Sequence, residues 1–176
     1  MSERYADLLS AISFAAAKHS RQRRKDVDAS PYINHPLQLA HVVATEGGVT
    51  DVETLMAAVL HDTVEDTMTS YEELVEAFGE TVADVVMEVT DDKSLVKAAR
   101  KEQQVEHAPH LSDRAALVKL ADKTCNLRDV AMSPPAGWPL ERKREYFDWS
   151  KRVVEGIPRV SVRMRAAFDG AFALRP

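Results

Sequence analysis

The stretch that most constrains this chain is Leu60-His61-Asp62-Thr63-Val64-Glu65-Asp66-Thr67. It follows an apolar run, Leu55 to Leu60, whose spacing is helical, so it stands at the end of a buried helix. The seven residues from His61 to Thr67 hold one histidine and three carboxylates. Carboxylates clustered against a core are costly unless a cation or protons neutralise them. An adjacent His-Asp pair offers that cation one nitrogen and one oxygen. The stretch therefore reads as half of a metal site, to which the rest of the chain brings His35, Asp122 and a phosphate-binding wall.

The remaining segments read as helices. Tyr5, Leu8, Leu9, Ile12 and Ala16 make an apolar stripe over 2–19. Arg21-Gln22-Arg23-Arg24-Lys25-Asp26 then gathers basic residues in a chain that is acidic overall. Most such runs are solvated loops. Here guanidinium and ammonium groups also suit phosphate, and Arg stacks on planar bases. In Tyr32-Ile33-Asn34-His35-Pro36, Pro36 fits the first turn of a helix that Gly47-Gly48 stops. His35 thus sits at a helix entrance, where a cap is as natural as a ligand. His41 falls on the surface or core edge of the same helix.

Thr50-Asp51-Val52-Glu53 and Ser70-Tyr71-Glu72-Glu73 are capping-box patterns. Whether the helical turn carries on from His61 to Glu65 is open at this level. Val82, Val85, Val86 and Val89 are β-branched, but spacings of three and four favour helix. A polar helix spans 97–107, and Pro109 ends it. In the segment 112–130, Leu117, Leu120, Ala121, Thr124 and Leu127 form one stripe, while Asp122, Asn126 and Asp129 share another face. A salt bridge to Lys119 or Lys123 is the ordinary reading for Asp122. Helices after Trp138 and over 158–172 close the chain. The expectation is an all-α fold: one unit, residues 1–176, of about eight or nine helices without a strand.

The 176 residues suit one domain with a core of its own. A net charge of −5 argues against general binding to nucleic acid or membrane surfaces. No apolar stretch approaches the roughly 20 residues needed to span a bilayer. The single cysteine, Cys125, excludes an internal disulfide and fits a reducing, cytoplasmic setting. No signal peptide is evident at the N-terminus.

His35, His61-Asp62 and Asp122 together resemble the H…HD…D pattern of the HD-domain phosphohydrolases. Arg-Arg-Lys-Asp at 23–26, Tyr-Ile-Asn-His-Pro at 32–36, Leu-His-Asp-Thr-Val-Glu-Asp-Thr at 60–67, Val-Thr-Asp-Asp-Lys at 89–93 and Val-Lys-Leu-Ala-Asp-Lys at 118–123 narrow the likeness. In order and spacing they resemble the hydrolase domain of RelA/SpoT proteins, and most of all its small stand-alone members, metazoan ones included. The resemblance implies an HD-type helical bundle acting as a (p)ppGpp 3′-pyrophosphohydrolase. It implies one Mn²⁺ per chain on His35, His61, Asp62 and Asp122. It implies Glu65 and Asp66 as the catalytic acidic pair, with Arg24, Lys25 and Asn126 at the nucleotide, joined by Arg23 on charge grounds. Thr124-Cys125 depart from the bulky or aromatic residues the family often places there, which puts pocket shape or nearby packing in question.

Two imidazoles and two carboxylates suit several divalent ions without selecting one. A nucleotide with a ribose 2′- or 3′-phosphate, such as NADPH, presents similar chemistry to the same site. A binding-only nucleotide sensor is the non-enzymatic alternative, although every catalytic position holds a competent residue. The partner expected in each case is a small-molecule nucleotide.

Overall fold

The computed structural model describes the backbone of residues 2–157 and 161–176, with side chains from Arg4 onward at the N-terminus. Among the described residues the regular elements are helices. They are α1 (Ser2–Lys18), α2 (Asn34–Thr45), α3 (Val52–Leu60), α4 (Thr63–Asp66), α5 (Tyr71–Phe78), α6 (Glu80–Val89), α7 (Lys97–His107), α8 (Asp113–Met132), α9 (Leu140–Gly156) and α10 (Val162–Phe172). A 3₁₀ turn, Ala108–His110, follows α7 and carries the chain through Pro109. The count exceeds the expected eight or nine because α4 is a separate single turn of four residues. The expected closing helix began at 158; residues 158–160 lie outside the described residues.

Helix α3 is the hub. Thr54 and all residues from Met56 to Leu60 are buried, and the helix packs on α1, α2, α6 and α8. Its uniform apolarity follows from contact on several sides. Helix α8 is the second axis and touches α2, α3, α6, α9 and α10. Leu39, Leu60, Val86, Leu120, Phe147 and Phe168 are fully or almost fully buried between these helices. Burying each such side chain stabilises the fold by about 1.5–3 kcal/mol.

The helix starts are set by short polar side chains. Ser70 accepts from Glu73 N at 3.2 Å, as the capping pattern predicts. At α3 the cap is Asp51, one residue later than the Thr50 box suggests. The Asp51 carboxylate accepts from Thr54 N at 3.2 Å and from its hydroxyl at 2.6 Å. Arg114 holds both carboxylates, Asp51 through Nε at 2.8 Å and Glu53 through Nη2 at 2.6 Å.

At the end of α2, both Glu46 N and Gly47 N donate to Val42 O at 3.0 Å. A Cβ on Gly47 would meet Val43 O at 2.5 Å and Met164 Sδ at 2.7 Å. Only glycine lets α10 approach this turn so closely.

Residues 22–32 fold into a small hairpin with one antiparallel bridge, Arg23 to Pro31. Arg24 N donates to Ser30 O at 2.9 Å, and Tyr32 N to Gln22 O at 3.1 Å. Ala136 N donates to Lys25 O at 2.9 Å and ties the hairpin to the loop before α9. The basic segment is thereby held over the junction of α2, α3 and α8.

Candidate metal and nucleotide site

A cavity of about 690 Å³ opens at this junction. His35 enters it from the first turn of α2, His61 and Asp62 from the end of α3, and Asp122 from the middle of α8. Ligand atoms of His35, His61 and Asp62 all lie within 4.8 Å of one another. Asp122 Oδ1 is 3.4 Å from His35 Nε2, so the fourth expected residue adjoins the cluster.

The end of α3 aims His61. Its Nδ1 lies 2.9 Å from Ala58 O, one of the carbonyls freed at the helix end. That bond makes Nδ1 the donor and turns the Nε2 lone pair toward the cluster. Nε2 is buried and has no hydrogen-bond partner. Asp62 Oδ2 is only 2.9 Å away but out of line for a hydrogen bond. A buried nitrogen without a partner, beside two carboxylates, fits a divalent cation.

The electrostatics agree. Burial pushes the Asp62 carboxyl up, but the His61 imidazole more than reverses this and holds it well below the usual carboxylate range. Burial opposes charge on His61, and Asp62 outweighs it, so the imidazole holds its proton more tightly than usual. Tyr32 donates its hydroxyl to Asp62 Oδ2. Burial and the neighbouring Asp62 charge push this phenol far up, so it remains a donor.

Glu65 and Asp66 stand on the α4 turn just beyond Asp62 and line the same cavity. Glu65 Oε2 accepts from Asp91 N at 3.1 Å. Burial, then the Asp62 and Asp91 charges, push its carboxyl up to about 7. Asp66 accepts from Gln22 Nε2 at 2.8 Å and from Lys93 Nζ. The two neighbours differ: Asp66 takes the close contact with Lys93, whose ammonium lies 4.0 Å from Glu65 Oε1, and the Glu65 carboxyl is poised near neutrality.

The basic wall is partly self-paired. Arg24 Nη2 meets Asp129 Oδ2 at 2.5 Å, with its guanidinium 6.0 Å from the Tyr32 ring centroid. Arg23 is exposed, and its Nη1 turns back to the carbonyls of Ser20 and Gln22 at 3.2 and 3.0 Å. Lys25 lines the cavity. Asn126 Nδ2 donates to Asp122 Oδ1 at 2.5 Å, so this residue also orients a cluster carboxylate. The salt bridge considered for Asp122 exists: Lys123 Nζ lies 3.2 Å from its Oδ2 and 4.3 Å from the Trp149 ring centroid.

An HD domain model matches residues 11–148. The chain belongs to the HD-domain family. Among curated relatives of this HD-domain chain, guanosine-3′,5′-bis(diphosphate) 3′-pyrophosphohydrolase MESH1 of Danio rerio is 57% identical over 86% of this chain and 84% of its own. The protein of the same name from Xenopus tropicalis is 51% identical over 98% and 96%. A solved structure, described as a metazoan ortholog of SpoT that hydrolyzes ppGpp and plays a role in starvation responses, superposes with a TM-score of 0.93. It is 44% identical, covering 97% of this chain and 96% of that one.

Several residues of this HD-domain site escape a reading of the sequence. Tyr32 sits inside a quoted motif, yet nothing local shows that its hydroxyl reaches Asp62. Asp129 repeats the spacing of Asp122 along α8 and signals only a shared face. Lys119 and Lys123 look like solvent-facing charges, but both are buried. His19, just past α1, is buried as well, with Nδ1 2.6 Å from Gln22 Oε1. Thr124 and Cys125 also lie in the core, with Thr124 Oγ1 donating to Leu120 O at 2.8 Å. Neither lines the cavity. Among the described residues no helix is long and apolar enough to cross a membrane.

Proposed function

We propose that this chain is a manganese-dependent hydrolase that converts (p)ppGpp to GDP or GTP and pyrophosphate. The observation that carries the reading is the convergence of His35, His61 and Asp62 to within 4.8 Å beside the Glu65–Asp66 pair, under a basic hairpin. The names of the relatives at 57% and 51% identity point the same way. His35, His61, Asp62 and Asp122 would hold one ion, and their mixed nitrogen and oxygen donors accept manganese. Such an ion supplies Lewis acidity and lowers the pKa of a bound water.

The chain's own residues do the rest. Glu65 takes a proton from the attacking water, a task suited to a carboxyl raised to about 7. Asp66, fixed by Gln22 and Lys93, holds the water in line with the 3′-linked phosphorus. A bond forms from the water oxygen to that phosphorus, the bond from phosphorus to O3′ breaks, and the proton that Glu65 took passes to the leaving ribose oxygen. Lys25 and Arg24 neutralise phosphate charge, Arg23 adds to the field at the rim, and Asn126 keeps Asp122 in place. Helices α2, α3, α6, α9 and α10 pack on α8, while α1 packs on α3, α5 on α6 and α7 on α9, which supports action of residues 1–176 as one unit. The lone cysteine, buried and free, is consistent with a cytoplasmic setting.

Product analysis tests the proposal. Purified Mn²⁺-loaded protein given ppGpp should release GDP and pyrophosphate, and chelator should stop it. Orthophosphate from NADPH with ppGpp left intact would keep the site and replace the substrate. Neither product from protein with bound metal would leave a nucleotide-binding role.

A further inference from the structure

Lys119 lies on α8, one turn before Asp122, and is almost entirely shielded from solvent. Its ammonium donates to Val89 O at 2.8 Å. Val89 is the last residue of α6, so this carbonyl has no partner within its own helix and sits at the negative end of the helix dipole. Two residues on, Asp91 N donates to Glu65 Oε2 at 3.1 Å. The Asp91 carboxylate is gripped from the other side by Gln104 Nε2 of α7, at 2.8 and 2.6 Å. The short turn 89–91 is thus pinned at both ends, and its one N–H facing the site is spent on Glu65.

Taking Glu65 as the group that accepts the water's proton, we propose that Lys119 is a positioning residue for Glu65, acting through the Val89–Asp91 turn. Lys119 lines the same cavity as Glu65, but its ammonium is spent on Val89 O. It fixes the turn whose Asp91 N–H sets the direction of the Glu65 carboxylate. Burial and the neighbouring Lys123 lower the Lys119 pKa, while Asp122, Asp91 and Asp62 favour its charge. A buried lysine with a single carbonyl acceptor is poorly explained by stability alone, since desolvating an ammonium costs more than one such bond returns.

The test is a double-mutant cycle of Lys119→Met with Glu65→Gln on the Mn²⁺-loaded protein. Lys119→Met is expected to lower kcat at least about tenfold, with KM within about twofold and bound metal unchanged. In the Glu65→Gln background the same change should lower kcat no further. Lys119→Arg, which keeps a charged donor, should recover part of the rate. A multiplicative loss in the double variant, or an unchanged kcat in the single one, would overturn the proposal. Should Lys119→Met fail to fold, Gln104→Leu loosens the turn from its other end. It must show the same lack of further effect with Glu65→Gln, and full activity there would equally overturn it. A Glu65→Gln variant as fast as wild type would instead sink the assignment of Glu65 itself.

Discussion

Arg24 of the hairpin is ion-paired to Asp129 of α8, Nη2 to Oδ2 at 2.5 Å. The pair lashes the basic segment to the helix that carries Asp122 and sets the guanidinium beside Tyr32. Asp129→Asn should release that guanidinium to wander. KM for ppGpp is expected to rise several-fold with kcat nearly unchanged, since under the proposed function Arg24 serves nucleotide binding and the acidic pair is left alone. Steady-state kinetics check this, and a fall in kcat at constant KM would contradict it.

His61→Ala and Asp62→Asn each remove a proposed ligand from the only cluster of this kind found among the described residues. Both variants are expected to lose bound metal and turnover together, as measured by metal analysis on protein whose helical circular dichroism is intact. Metal retained at one ion per chain with a near-normal rate would refute the ligand assignment.

Glu65 gives a prediction with a definite direction in pH. Its folded-state carboxyl is raised from 4.5 to about 7, so the folded protein binds a proton there that the unfolded chain gives up. The associated stability is complete at acid pH and is lost as pH rises toward and through 7. In metal-free protein, Glu65→Gln should therefore be the more stable form at about pH 8, by roughly 1–2 kcal/mol after allowance for solvent screening. Near pH 4 the two should melt alike. The loaded variant should keep its metal while losing at least about tenfold in kcat, some 1.4 kcal/mol of barrier. Thermal melts with chelator and rates with Mn²⁺ separate the two effects.

Cys125 is fully buried, and burial with the nearby Asp122 charge pushes its thiol up to about 12. Alkylating reagents act on the thiolate. Native protein should show no mass increase with iodoacetamide and no loss of activity, while denatured protein should gain one adduct. Labelling of the native state would mean that α8 opens locally.

The helices were legible because apolar spacing and caps are local signals. Leu55 to Leu60 announce a buried helix, and Ser70 announces the start of α5. The cap falls one residue later than the box because the Asp51 carboxylate itself takes Thr54 N, while Arg114, distant in sequence, holds both Asp51 and Glu53. The cluster was legible for a different reason: a His-Asp pair after an apolar run is chemically expensive and demands a partner. What stayed hidden was burial of cations. Lys119 and Lys123 occur where a helix pattern expects solvent, and only the packing of α6 and α9 around α8 turns them inward. Arg24 looked free for phosphate because the sequence does not show Asp129 beside it.

His35 and Asp122 are far apart along the chain, and His61 lies between them. An ion held by all three would act as a removable cross-link, closing long loops whose entropy the unfolded chain otherwise keeps. Binding only to the folded state, it would add about 2.7 kcal/mol when present at a hundred times its dissociation constant. Metal supply would then set how long each molecule survives as well as how fast it works. A cell short of that ion would lose the protein itself, through unfolding and proteolysis, on top of its chemistry.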